Sequence, residues 1–64
     1  MKRNLDILKR GDKIIAVVVN KKTVYTTIDD GLTYGEVLEL EKFGMKIKAV
    51  GDINLKIEQL KSLV

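Results

Sequence analysis

The chain has 64 residues, a formal net charge of +3, and neither Cys nor His, which excludes disulfide bonds and the usual zinc ligands. Chains this short bury only about 60% of their unfolded surface, so the core is marginal and oligomerisation is the remaining common way to stabilise it. We therefore predict that residues 1–64 form a single small α+β domain that assembles as a homodimer.

The first half of the chain predicts a β-hairpin. Segment 13–19 is β-branched and apolar on both alternating faces, as in a strand that is buried on both sides. Segment 23–28 alternates, and a tight turn at 20–22 is favoured because Asn20 tolerates left-handed dihedral angles. The two sides of the second strand are Val24, Thr26 and Ile28, and Thr23, Tyr25 and Thr27. Residues 1–10 are compatible with either a helical turn or an added strand.

A capping box predicts where the first helix begins. Thr33 followed by Glu36 matches the pattern in which each side chain accepts a hydrogen bond from a free amide at the helix start. The helix is predicted over 34–43, with Gly44 at the position that accepts left-handed dihedral angles. Its apolar surface is expected to consist of Tyr34, Val37, Leu38, Leu40 and Phe43.

The last third of the chain predicts a strand and then a second helix. Segment 45–50 alternates between two sets: Met45, Ile47 and Ala49 facing inward, and Lys46 and Lys48 facing outward. Asp52 is a good N-cap for a helix that follows. One face of that helix would carry Ile53, Ile57, Leu60, Leu63 and Val64. Because Ile53, Leu55 and Ile57 also alternate, a fourth strand is an alternative.

These elements predict the order β-β-α-β-α with a small three-stranded mixed sheet. A helix between the second and third strands leaves them parallel, and placing the first strand between them gives the order 2-1-3. The first helix would cover one face of the sheet. The other face could be covered by the C-terminal helix, by the N-terminal segment or by a second copy of the chain. In the last case a self-association face would consist of Ile15, Val17, Val19 and Tyr25.

The residue types that carry most enzymatic chemistry are missing. Without Cys or His there is no Ser-His or Cys-His nucleophile, and Ser62 has no base beside it. Asp29 and Asp30 could be imagined as magnesium ligands, but a turn whose carboxylates bind local amides is the simpler interpretation. No glycine pattern matches a phosphate-binding loop. We therefore predict a protein that is not an enzyme, with no cofactor and no metal.

Charge is unevenly distributed along the chain. Residues 1–22 have a net charge of +5, from seven basic and two acidic residues, whereas residues 23–44 have −4 and residues 45–64 have +2. Such asymmetry suits either an acidic protein partner or a nucleic acid. The candidate contacts are Lys2, Arg3, Lys9, Arg10, Lys21, Lys22, Lys46 and Lys48. Ten of the twelve basic residues are Lys, which weakens the case for bidentate recognition of phosphate or guanine.

Three short motifs give segment 13–50 a resemblance to a family of small bacterial and phage domains of unknown function. They are Ile14-Ile15-Ala16-Val17, Asp30-Gly31-Leu32-Thr33 and Gly44-Met45-Lys46-Ile47-Lys48-Ala49-Val50. The resemblance implies a hairpin, a short helix and a strand, and a gene from a phage or mobile element. It implies no catalytic residues.

Three functions fit these observations. The leading hypothesis is a non-enzymatic, homodimeric interaction protein that binds and modulates another protein, such as a phage-encoded inhibitor of host or immune machinery. The alternatives are a small basic nucleic-acid-binding regulator and an accessory subunit of a larger assembly. We expect a cytoplasmic location in a bacterial or infected host cell and no membrane contact, because the longest apolar run, 14–19, is far shorter than the roughly 20 residues that span a bilayer.

Overall fold

A computed structural model of the chain describes residues 4–28 and 30–62. The elements in chain order are β1 (Leu5–Arg10), β2 (Lys13–Val19), β3 (Thr23–Thr27), α1 (Tyr34–Lys42), β4 (Lys46–Val50) and α2 (Ile53–Ser62). The predicted α+β class is confirmed, and the undecided N-terminal segment contributes a strand. Among the described residues, neither helix has the length and apolar character needed to cross a membrane.

The sheet has four strands in the order β1-β2-β3-β4, so the predicted three-stranded sheet with order 2-1-3 is wrong. The strand over Lys13–Val19 is central, as its apolar character indicated, but its second neighbour is β1 rather than β4. β4 pairs in parallel with β3, as expected of a crossover through a helix. The physical reason for the error is the N-terminal hairpin, which occupies the free side of β2 and leaves β4 at the edge beyond β3.

The predicted turn between β2 and β3 is confirmed. Asn20 and Lys21 have φ angles of 53° and 57°, and the Lys22 amide donates to the Val19 carbonyl at 3.0 Å. Two successive positive φ angles are the pattern of a type I′ turn, and the pairing of Val19 with Thr23 leaves three residues in the loop. Asn20 also fixes the start of β1, because its side-chain oxygen accepts a hydrogen bond from the Asn4 amide at 3.0 Å.

A β-bulge divides the residues of β2 between the two faces of the sheet. Leu8 pairs with Ala16 but Lys9 pairs with Ile14, so Ile15 has no partner in β1. An extra residue reverses the alternation on either side of it. Ile14 therefore packs with the residues beneath α2, whereas Ile15 packs on the opposite face. The predicted common face of Ile15, Val17 and Val19 is wrong because this bulge is not visible in the alternation of the sequence.

The C-terminal helix covers one face of the sheet. It buries Ile53, Ile57 and Leu60 against Val17 and Val19. The helix, rather than the alternative fourth strand, places these three residues on one face, and Asp52 caps it as predicted: its side-chain oxygen accepts hydrogen bonds from the amides of residues 54 and 55 at 3.0 and 3.2 Å.

The first helix covers much less of the sheet than the sequence predicts. Its predicted capping box and the left-handed Gly44 are both present, and it ends at Lys42 with Phe43 as C-cap. However, none of its residues is buried. Leu40 packs against the core on this side, which consists of Ile15, Ala16, Val18 and Val24. Nine residues make only two and a half turns, and the helix contacts the sheet chiefly at β4. Much of its predicted apolar surface is therefore exposed.

The buried hydroxyl of Thr26 joins three segments. Its Oγ1 donates to the carbonyl of Ile15, the residue at the bulge, at 2.9 Å and accepts a hydrogen bond from the Leu32 amide at 2.9 Å. We expect Thr26→Val to lower the free energy of unfolding by about 2 kcal/mol, because it leaves a buried carbonyl and an amide without partners. Urea denaturation measures the change. Thr26→Ser keeps the hydroxyl and is the control; an equal loss in both variants would assign the effect to packing.

Candidate functional site

The two edges of the sheet differ. Along β1 the register shifts between Leu8 and Lys9, and Arg10 at its end forms an ion pair with Glu36 of α1. β4 pairs with β3 in an unbroken register over five residues. Bulges and charged side chains are the devices by which proteins prevent an edge strand from pairing further. The β1 edge has a bulge in its pairing, at Ile15 of β2, and a paired charge at its end, whereas the β4 edge has only lysines.

The outer side of β4 presents unpaired backbone groups. The Lys46 amide donates to the Lys22 carbonyl at 2.8 Å, so this residue directs its backbone toward β3. Because consecutive residues of a strand direct their amides to alternate sides, Ile47 and Ala49 direct theirs outward. No strand among the described residues lies beyond β4. Two amides and two carbonyls are therefore available for pairing.

On the α1 side, β4 borders an open groove of about 410 Å³. Its walls include Ile28 and Tyr34, which are 81% and 79% exposed. Ile47 and Ala49 line it from β4. The prediction that Ala49 faces inward as core is wrong, because α1 does not reach over the end of β4 and the alanine remains exposed.

On the α2 side, β4 borders a second groove, of about 470 Å³. Its lining consists of Val50, Gly51, Asp52, Leu55, Lys56 and Gln59. Leu55 points away from the buried face of α2 and is 54% exposed. Apolar side chains therefore flank the free edge of β4 on both faces.

Three lysines give the α2 side of this edge a positive charge. Lys46 and Lys48 are exposed on β4, and Lys48 pairs with Tyr25, against whose ring the Nζ of Lys56 lies 4.5 Å from the centroid. The ion pairs found within the described residues are Arg10–Glu36 and Lys13–Asp30. None of these three lysines therefore forms an ion pair with another described residue.

The residues of the predicted self-association face lie inside the single chain. Val17 is fully buried, and Val19 is buried beside it under α2. Ile15 is buried on the opposite face. Tyr25 is half-buried and covered by Lys56. The alternative in which the C-terminal helix covers Val17 and Val19 is the one observed, so Ile15, Val17 and Val19 are core, Tyr25 packs against the core, and the four do not form an exposed face.

The predicted basic contacts do not form one surface. Lys2 and Arg3 lie outside the described residues. Arg10 pairs with Lys13 in the sheet, whereas Lys21 and Lys22 lie at the turn that follows Val19, at the other end of β2. Lys9 is on the far edge strand. Among the described members of the set, Lys22 and Lys46 are joined by a backbone hydrogen bond, and Lys46 and Lys48 share one face of β4.

Of the two acidic residues considered as metal ligands, Asp30 has structural contacts. Asp30 forms an ion pair with Lys13 and accepts a hydrogen bond from Thr27 Oγ1 at 3.1 Å. These contacts, the one from Lys13 foremost, lower the pKa of the Asp30 carboxyl. Asp29 lies outside the described residues. No cluster of three or more Asp or Glu side chains suited to a metal ion occurs in residues 4–28 and 30–62.

A second exposed carboxylate gives stability a pH dependence. The backbone amide of Thr33 and then the Arg10 guanidinium lower the pKa of Glu36 below its ordinary 4.5, as Lys13 lowers that of Asp30 below 3.8. A lowered pKa stabilises the fold above the ordinary value, and this stabilisation is lost as pH falls through the folded value. We expect the urea midpoint to fall below pH 4.5.

The matched control for this pH dependence is the double variant Asp30→Asn, Glu36→Gln, in which neither side chain titrates. Its urea midpoint should change less between pH 6 and pH 3 than that of the wild type. A parallel decline in both proteins would mean that other carboxylates cause the loss.

The sequence pattern predicts Lys46 and Lys48 of this edge as partner contacts but does not predict the exposed apolar side chains beside them. The sequence pattern predicts only that Ile28 shares one side of its strand with Val24 and Thr26, and it includes Leu55 only in the alternative fourth strand. Helical spacing could have predicted that Leu55 is exposed, because it lies off the face shared by Ile53, Ile57 and Leu60. Comparison of the chain with protein-family models, curated proteins and solved structures gives no match. The function of this edge must therefore be argued from its geometry.

Proposed function

We propose that the chain is a non-enzymatic interaction protein that binds and modulates another protein. The observation that carries the proposal is the exposed apolar side chains that flank β4, namely Ile28 and Tyr34 on the α1 side and Leu55 on the α2 side. Exposed apolar surface of this kind is a feature of protein-binding sites, and tyrosine is among the residues that contribute most to such interfaces.

Homodimerisation remains a prediction, and its interface has to be sought outside the buried Ile15, Val17 and Val19. Light scattering at micromolar concentration measures it. A dimer that persists in a Tyr34→Ser, Leu55→Ser variant would place self-association away from β4. A monomeric wild type would remove the dimer from the proposal and leave partner binding unaffected.

Nucleic-acid binding has weaker support from the geometry. Single-stranded nucleic acids bind to platforms of exposed aromatic rings beside basic residues. The ring of Tyr25 is half-buried and Lys56 lies against it, while Arg10 is engaged by Glu36. Mobility-shift titrations over a salt series provide the direct test, because phosphate contacts make affinity fall steeply with salt.

Selection from a displayed library of random peptides tests the proposal of protein binding. We expect peptides that bind the immobilised protein and weaken at least about tenfold against the Tyr34→Ser, Leu55→Ser variant, which is the loss of about 1.4 kcal/mol. Both side chains are exposed, so the fold should be retained.

The chain offers a matched control in Phe43, which is 79% exposed like Tyr34 but lines a different groove, next to Leu8 and Glu39. Phe43→Ser should leave peptide binding unchanged. If no selected peptide distinguishes the wild type from the Tyr34→Ser, Leu55→Ser variant, the proposed function is wrong.

A further inference from the structure

We infer that β4 binds an extended segment of its protein partner as a fifth strand, and that this segment alternates between apolar and acidic residues. The inference rests on the proposed function and specifies the chemistry of the partner. Its apolar residues would face the α1 side and its acidic residues the α2 side.

The backbone of β4 supplies the first argument. Ile47 and Ala49 direct two amides and two carbonyls outward, in a strand whose register with β3 is unbroken. A segment added to a sheet edge gains affinity from such main-chain hydrogen bonds, and pockets for alternate side chains give it specificity. The β1 edge differs, because the bulge at Ile15 of β2 increases the twist of the β1–β2 pair and Arg10 at the end of β1 is held by Glu36 of α1.

The groove on the α1 side defines one set of partner side chains. It lies directly beside Ile47 and Ala49, and Ile28 and Tyr34 form its exposed walls. Side chains of an added strand on this face would enter the groove at every second residue, because successive residues point to opposite faces. The small side chain of Ala49 leaves space there. Apolar residues of the partner fit this surface.

The positive charge on the α2 side defines the other set of partner side chains. Lys46 and Lys48 are two residues apart on the same face, and Lys56 lies nearby against Tyr25. Side chains of an added strand lie about 5 Å from their cross-strand neighbours, at which distance opposite charges attract. Acidic residues at alternate positions of the partner would therefore face lysines that have no ion-pair partner among the described residues.

The same charges argue against a second copy of the chain as the occupant. Antiparallel pairing of β4 with β4 of another copy would place Lys46 and Lys48 of both copies on one face. Like charges opposite one another destabilise a strand pair, and lysines on edge strands are a known device against self-pairing. The charges on this edge therefore favour pairing with an acidic partner over pairing with β4 of a second copy.

The direct test uses nine-residue synthetic peptides that alternate Glu and Val. Two versions carry N-methyl groups, one on every Val and the other on every Glu, and binding is measured by titration calorimetry or fluorescence. Only one set of amides can face β4, so we expect one methylated peptide to lose at least about thirtyfold in affinity and the other to retain it. Loss in the Val-methylated peptide indicates antiparallel addition, and loss in the Glu-methylated peptide indicates parallel addition. Equal binding of both methylated peptides, or no binding of the unmethylated peptide at 1 mM, would overturn the inference.

Variants of the protein test the same edge from the other side. Ala49→Pro removes one outward amide without breaking the β3–β4 ladder, as proline is tolerated on the open side of an edge strand. We expect at least about a tenfold loss, with Ala49→Ser as control. The double variant Lys46→Glu, Lys48→Glu should bind the Glu/Val peptide about tenfold more weakly and a Lys/Val peptide more tightly. Unchanged affinities would contradict the proposal that acidic residues of the partner face these lysines.

The two proposals fail in different ways. Library peptides that depend on Tyr34 and Leu55 but tolerate N-methylation at every position would support protein binding and overturn strand addition. Library peptides with no dependence on these side chains would overturn the proposed function itself.

Discussion

Deletion of residues 53–64 is expected to unfold the protein. The deletion removes α2 and with it Ile53, Ile57 and Leu60, which cover Val17 and Val19. Burial of each large aliphatic side chain contributes about 1.5–3 kcal/mol, whereas a chain of this length has a total stability of only about 3–10 kcal/mol. The loss of three such side chains is therefore comparable to the whole stability.

Far-UV circular dichroism and the dispersion of amide proton resonances measure the outcome of this deletion. A truncated protein that remains folded and dimeric would show that another copy can cover Val17 and Val19, as the self-association hypothesis required.

Two point variants on α2 separate loss of packing from loss of the helix. Ile57 is 5% exposed and Leu55 is 54% exposed on the same helix. We expect Ile57→Ala to cost about 3 kcal/mol and Leu55→Ala less than about 1 kcal/mol. Equal costs would contradict the observed orientation of α2.

Of the Gly→Ala substitutions, Gly31→Ala is expected to lower the free energy of unfolding most. A Cβ at this position would lie well inside van der Waals contact of Thr26 Oγ1 and the Thr27 carbonyl. The same hydroxyl holds Ile15 and Leu32, so the added methyl both overpacks a buried site and disturbs two hydrogen bonds. We expect a loss of about 3 kcal/mol, from overpacking and from weakened buried hydrogen bonds.

The matched control is Gly35→Ala, because a Cβ at Gly35 has no neighbour within 4 Å and the residue lies in the first turn of α1. Alanine favours the helix, so this variant should be stabilised by up to about 1 kcal/mol. Chemical denaturation of both variants provides the comparison. A loss below 1 kcal/mol in Gly31→Ala would mean that the loop before α1 can move aside.

Strand addition would give a function to the small area of the sheet that α1 buries. The helix leaves Tyr34 and Leu38 exposed, and it leaves Ala49 uncovered at the end of β4. Tyr34 and Ala49 line the groove beside the same strand whose backbone is unpaired on its outer side. The apolar surface that the sequence assigned to the core is therefore the surface that we propose for the partner.

Local signals in the sequence were sufficient for most elements. The capping box at Thr33 and Glu36, Gly44 after α1, and Asp52 before α2 each act within a few residues of the chain. The turn after Val19 is equally local, because Asn20 favours left-handed dihedral angles. Such features are encoded where they occur, and their predictions were confirmed.

The arrangement of these elements depended on contacts between distant residues. The pairing of β1 with β2 placed β4 at an edge, and a single unpaired residue, Ile15, moved one predicted side chain to the opposite face. Neither effect changes the pattern of apolar and polar residues along the chain, so periodicity does not reveal them.

By itself, the sequence determined an α+β protein without Cys or His, a doubly apolar strand over Lys13–Val19 and the positions of its helix starts. Only the tertiary structure decided that Val17 and Val19 are core beneath α2 and that β4 has a free outer edge. The physical reason is that helix caps and turns depend on interactions between near neighbours, whereas strand order depends on which hydrophobic faces meet. A 64-residue chain has so few elements that one added strand, β1, changes which edge remains open.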